Sequence, residues 1–248
     1  MNSEKHLFAL HFESLTGLIN RQSASSTLEV ADQDLWQRIV KVLHMKAGEE
    51  IIFFDNMHHV VVRLSESMWA KKNVVAGQII SHKQNQELTP IIVLYAPLTK
   101  KDAFESIVYS AAQLGVSKII PFISAKTHRV WWNEKDRARC TKIMIAACEQ
   151  AKQFIIPELV DPISFAQLVS GEQENIFFEA RALEFSDFFA RKKSMKNITI
   201  LFGPEGGLTS IEMEMLMNKG FEKYGLTKTI LRSQDAVLLG LGILRSLC

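Results

Sequence analysis

ITILFGPEGG, residues 198–207, and TILRSQDAVLLGLGIL, residues 229–244, decide how this chain is read. The first opens as a buried strand, because Ile198, Ile200, Leu201 and Phe202 are apolar and partly β-branched. It runs directly into Gly203-Pro204-Glu205-Gly206-Gly207. Adjacent glycines accept positive φ and let a ligand reach the backbone with no Cβ in the way. Pro204 stiffens the turn and removes a donor. Thr209 or Ser210 can then cap a helix whose first turn carries Glu212 and Glu214, where the helix dipole favours acid. A strand that ends in a glycine loop before a helix N-terminus is how open α/β sheets build ligand sites. A lone Gly-Gly is an ordinary turn. Here the loop also carries a carboxylate, and a second apolar segment answers it.

Working outward, residues 90–248 alternate strands and helices. Apolar strands are predicted at 91–95, 118–123, 176–179 and 198–202, with a short one at 222–226. Helices are predicted at 101–114, 134–154, 210–219 and 237–247, with Gly115 and Gly220 as stops. This rhythm means an α/β domain with a mostly parallel sheet covered on both faces. Residues 1–82 read differently. They hold strands at 6–12, 50–55, 59–64 and 76–82, and a helix at 31–44 that Asp32 can cap and that a turn at Gly48 ends. That pattern suggests a small barrel-like module. The polar run KQNQELT, residues 83–89, is the expected linker.

Composition narrows the classes. The apolar share of 47% supports a sizeable core over 248 residues. No run approaches the roughly 20 apolar residues of a membrane span. The opening MNSEKHLFALHFES is charged and is expected not to be a secretory signal. Cys140, Cys148 and Cys248 lack metal-ligand spacing, so reduced thiols in the cytoplasm are expected and no metal site is. The net charge of +2, from 29 basic and 27 acidic residues, does not by itself announce nucleic acid. The basic clusters at 71–72, 100–101, 126–139 and 191–193 are each an ordinary solvated face unless the fold gathers them. Trp131-Trp132 reads first as a packing or dimer contact and second as a base-stacking pair. His58-His59 sits at a turn without further ligand types. No Gly-x-Gly-x-x-Gly or Gly-x-x-x-x-Gly-Lys phosphate loop is present.

The late glycine loop GPEGGLTSIEME, paired with ILRSQDAVLLGLGIL, resembles the SPOUT superfamily of S-adenosylmethionine-dependent RNA methyltransferases. Within it the chain is similar to the bacterial family that methylates N3 of a uridine in 16S ribosomal RNA of the small subunit. VLHMKAGEE, AAQLGVSKIIPFIS and AACEQAKQFIIPEL carry the likeness across nearly the whole length. The resemblance implies a PUA-like RNA-binding β-barrel over 1–82 and a SPOUT domain with a C-terminal trefoil knot over 90–248, in a cytoplasmic homodimer. It implies that Leu201, Phe202, Gly203, Pro204, Glu205, Gly206 and Gly207 hold S-adenosylmethionine together with Leu226, Ile230, Leu231 and Ala236. It implies Arg232 and Glu149 as catalytic residues, and Gln150 with Arg232 on the RNA substrate. Asp235 is better placed to cap the last helix than to act as a base. The chain departs from the family pattern at His44, Tyr109, Ser110, Gln153, Thr227, Thr229, Gln234 and Asp235, mostly by losing positive charge. A non-catalytic RNA-binding protein of this fold, and a methyltransferase with another RNA target, share the same motifs. A side chain at Gly206 is expected to block the cofactor.

Overall fold

The computed structural model describes residues 7–21, 26–127, 130–191 and 195–247. His6, Lys192, Lys193 and Cys248, named above, lie outside them. The chain divides into two compact units. The first comprises residues 1–86 with 148–155, and the second residues 87–147 with 156–248. The boundary falls inside the stretch read as linker, and the end of the long helix belongs with the first unit.

In the first unit, β1 (Phe8–His11), α1 (Leu15–Arg21) and β2 (Thr27–Ala31) precede α2 (Gln33–Gln37). A π-helical turn, Arg38–Val42, prolongs α2. β3 (Glu50–Phe54), β4 (His58–Leu64), α3 (Ser67–Ala70) and β5 (Val74–Gln84) follow. The sheet order is β1-β3-β4-β5-β2, antiparallel except between β1 and β3. Along β4 the buried residues alternate, Val60, Val62 and Leu64, as a strand with one face on a core requires. Trp36 and Ile39 pack into the same core. Asp32 caps α2 as expected, its side chain accepting the Leu35 N–H at 2.9 Å. Gly48 turns with φ +81°, where a side chain would be strained.

Asp55 organises the hairpin turn between β3 and β4. Its carboxylate accepts the N–H groups of Thr16, Met57 and His58, each at 2.8 Å. Burial opposes ionisation, but these bonds and the Thr16 side chain outweigh it and hold the carboxyl below its ordinary 3.8. The unfolded chain therefore takes up this proton first. The stabilisation is complete above the unfolded value and is lost as pH falls through the lower folded value. Unfolding midpoints should accordingly drop between about pH 5 and pH 2.5, and drop less in Asp55→Asn. Equal slopes for the two proteins would reject this assignment.

The second unit runs β6 (Ile91–Pro97), α4 (Lys101–Gln113), β7 (Lys118–Ile123), α5 (Glu134–Ala151), β8 (Glu158–Leu159) and β9 (Ile163–Ser164). A 3₁₀ turn, Phe165–Gln167, leads on to β10 (Glu174–Glu184), α6 (Phe185–Arg191), β11 (Asn197–Leu201), α7 (Ser210–Asn218), β12 (Glu222–Gly225) and α8 (Ser233–Leu247). The sheet order is β12-β10-β11-β6-β7-β8, every pair parallel, with β9 also paired to β7. Its central strands are mainly apolar, β6 continuously so, because neither face meets water. The order reverses between β6 and β11: from β6 the chain builds outward through β7, and from β11 outward through β12. Such a switch leaves a crevice beyond the carboxyl ends of the strands.

The last helix is anchored by one side chain. Arg245 of α8 donates to the carbonyl oxygens of Leu114 at 2.8 Å, Pro90 at 2.7 Å and Gly115 at 2.6 Å. Two of these acceptors lie at the end of α4, where helical carbonyls have no partner within the helix. Cys140 and Cys148 are buried, and burial pushes their thiols up to about 11 and about 12.

Candidate functional site

β11 delivers the chain into residues 203–207 at the switch point. Gly207 takes φ +69°, and its N–H closes the turn on the Pro204 carbonyl at 2.8 Å. Thr209 then caps α7 in a reciprocal box with Glu212. Glu212 is buried, and its other oxygen accepts the Ala125 N–H at 2.8 Å. Lys126 donates to the Gly206 carbonyl at 2.6 Å. From the other side, Ser233 at the start of α8 donates to the Gly203 carbonyl at 2.9 Å. The loop is thus tied to β7's following turn and to α8.

A cavity of about 140 Å³ opens on one face of this loop. Phe202, Gly203, Pro204, Glu205, Gly207, Leu226, Ile230, Leu231 and Ala236, all expected from the sequence, line it. The two distant stretches quoted at the outset do meet. Phe178, Glu179, Leu208, Thr227, Thr229 and Ser233 line it as well and were not read as site residues. Thr227 and Thr229 had registered only as departures. Phe178 and Glu179 lie midway along β10, next to the shift in its register with β12, and β10 pairs beside β11, a neighbourhood no local pattern announces. Phe178 stacks on Phe202 with centroids 4.8 Å apart. Glu179 and Glu205 make the walls acidic, which suits a cation.

Two expected residues lie elsewhere. Leu201 is fully buried in the core beneath the loop, among Tyr95, Phe177 and Leu208. Gly206 faces a second, larger cavity on the loop's other side, and a Cβ built there would meet the Lys126 side chain at 3.2 Å. The alternation of directions through a tight turn is what separates Gly206 from its neighbours.

Arg232 sits between the lining residues Leu231 and Ser233. Its side chain is 74% exposed, and Nε pairs with Asp235 at 3.1 Å. An exposed pair of this kind contributes little to stability, about 0–1 kcal/mol. Asp235 thus holds Arg232 one turn along the helix.

Glu149 belongs to the first unit, with Gln150 beside it. Arg38 grips its carboxylate with two bonds, at 2.9 and 2.6 Å, and the His11 N–H adds a third at 2.8 Å. Burial lowers the His11 imidazole below its ordinary value, against the opposing pull of Glu149. Glu149→Ala removes the partner of a half-buried guanidinium and should cost about 1–3 kcal/mol of stability. Chemical unfolding would show this as a lower midpoint, and an unchanged midpoint would contradict it.

Residues 85–245 match the RNA methyltransferase domain family. The chain therefore carries an RNA methyltransferase domain. It is 31% identical over 215 residues to the ribosomal RNA small subunit methyltransferase E of Bacillus subtilis (strain 168), covering 82% of this chain and 84% of that protein. The corresponding protein of Mesomycoplasma hyopneumoniae (strain 232) is 28% identical over 80% of this chain and 86% of its own length. The chain belongs to the ribosomal RNA small subunit methyltransferase E family. In fold it is similar to the crystal structure of the Neisseria gonorrhoeae enzyme bound to S-adenosyl methionine, with a TM-score of 0.80, 23% identity and 98% of each chain covered.

Proposed function

We propose that this protein methylates N3 of a uridine in 16S ribosomal RNA, using S-adenosylmethionine, as a cytoplasmic homodimer. The observation that carries the reading is the acidic-walled cavity between residues 203–207 and 226–231. The residues fit the cofactor: apolar walls from Phe178, Leu226 and Leu231 suit an adenine, and Glu179 and Glu205 suit a positively charged centre. When bound, S-adenosylmethionine supplies a methyl group made electrophilic by its sulfonium. The Gly203 and Gly207 backbone gives it room, and the bonds from Ser233 to the Gly203 carbonyl and from the Gly207 N–H to the Pro204 carbonyl hold that backbone still.

N3 of uridine is weakly acidic and must lose its proton before it can accept a methyl group. A fixed cation beside the uracil oxygens stabilises the resulting anion. Arg232, exposed next to the cavity and steadied by Asp235, is placed to do this. The first unit is proposed as a PUA-like RNA-holding barrel, in which Glu149 keeps Arg38 and the β1 edge in place. The C-terminal segment, bonded from Ser233 to Gly203 and from Arg245 to residues 90, 114 and 115, is proposed to thread as the trefoil knot that the family resemblance implies.

Labelled S-adenosylmethionine with unmodified small subunits, followed by mass-spectrometric mapping, tests the reading. Transfer to a uridine N3 is expected. Arg232→Ala should lower turnover at least about tenfold while cofactor affinity stays within about twofold. Cofactor binding without transfer to any RNA would make the protein a non-catalytic RNA binder. Label at another position would assign another target.

A further inference from the structure

The second cavity, about 520 Å³, has no part in the cofactor site described above, although Pro204 and Glu205 line both. It lies beyond the carboxyl ends of β6, β7 and β11, at the switch in strand order. The fold gathers there what the sequence shows as separate basic clusters: Lys100, Lys101 and Lys126 all line it. The Lys101 ammonium is matched by Asp136 at 2.5 Å and lies 5.8 Å from the centroid of the Trp131 ring. Lys126 uses one donor on the Gly206 carbonyl. Lys100 is exposed just before α4, and among the described residues its ammonium makes no hydrogen bond or ion pair. Two ammonium groups with donors to spare therefore face one cavity beside an indole. The indole is itself fixed, its Nε1 donating to the Thr99 carbonyl at 2.7 Å.

We propose that this cavity takes one nucleotide of the RNA chain, its phosphate on Lys100 and Lys126 and its base along Trp131. The inference rests on the methyltransferase reading and adds to it where the RNA is held. The volume exceeds what a bare anion needs. Phosphate recognition by paired lysines is sequence-independent and salt-sensitive. An aromatic wall adds affinity for any base. The position on the opposite face of the glycine loop lets nucleotide and cofactor be held by one rigid element.

The test is fluorescence anisotropy of a labelled short oligouridylate on the full chain, across a salt series. Lys100→Ala and Lys126→Ala are each expected to weaken binding about three- to tenfold and to flatten the salt slope by about 0.7. Trp131→Leu should weaken binding with the slope unchanged. Lys142→Ala, on an exposed position of α5, should change neither. Unaltered affinity and slope in both cavity-lysine variants would overturn the proposal. So would displacement of the oligonucleotide by equimolar inorganic phosphate, which would mark a bare anion site. Calorimetry with S-adenosylmethionine on Lys100→Ala and Trp131→Leu should show wild-type affinity. Failure of methyl transfer by the wild-type protein would sink the methyltransferase reading separately.

Discussion

Gly203→Val is expected to weaken S-adenosylmethionine binding at least about tenfold, the equivalent of about 1.4 kcal/mol, in a calorimetric titration. The backbone can accept the change. A Cβ at Gly203 meets Leu208 at 3.6 Å and the Gly207 Cα at 3.9 Å, both ordinary contacts, and no positive φ is required there. The added methyl groups instead occupy a cavity of only about 140 Å³. The paired control is Gly206→Val. Its Cβ points at the Lys126 side chain in the other cavity, so cofactor affinity should stay within about threefold. The flexible lysine can shift, although its bond to the Gly206 carbonyl will weaken. If Gly206→Val abolished binding and Gly203→Val did not, the two faces of the loop would be assigned the wrong way round.

Arg245→Ala should be strongly destabilising although it lies away from the cavities. Three charge-assisted bonds to carbonyl oxygens disappear, and two of those carbonyls have no helical donor to replace it. Allowing for solvent at a half-buried position, a loss of about 2–4 kcal/mol is expected, or about 5–10 °C in melting temperature. Lysine should recover only part of this, because a point charge cannot reach three acceptors in one plane. Calorimetric melting checks the magnitude. A melting point within about 2 °C of wild type would show that the clamp is dispensable. Cofactor affinity should fall as well, since α8 also supplies Ser233 and Ala236 to the smaller cavity.

Much of the second unit was legible because its signals are local. A parallel strand buried on both faces is mainly apolar, so β6, β7 and β11 read directly. Capping and positive-φ glycines gave the ends: Thr209 caps α7, and Gly115 and Gly220 stop α4 and α7 with φ of +64° and +83°. The first unit was harder. α1 and α3 are short, and β2 is an edge strand with a single buried residue, so no periodicity stands out. The helix expected at 31–44 does begin at the Asp32 cap but changes to a π turn at Arg38. The helix expected to start at 237 starts at Ser233, because the polar Ser-Gln-Asp turn hides the onset of the apolar stripe. The linker read at 83–89 begins within β5, which runs to Gln84, and the Asn85 side chain bonds the carbonyls of Asp55 and Phe154.

By itself, the sequence determined that a strand ends in a bare glycine turn before a capped helix, and that an answering segment follows it. Those are properties of neighbouring residues, set by backbone sterics and helix-end hydrogen bonding. Which face each loop residue presents was decided only by the tertiary structure. So were the meeting of Glu179 with Glu205, the gathering of Lys100, Lys101 and Lys126 around Trp131, and the commitment of Glu149 to Arg38. Each of these depends on strand order and on contacts between residues far apart in the chain, and local patterning carries no record of them.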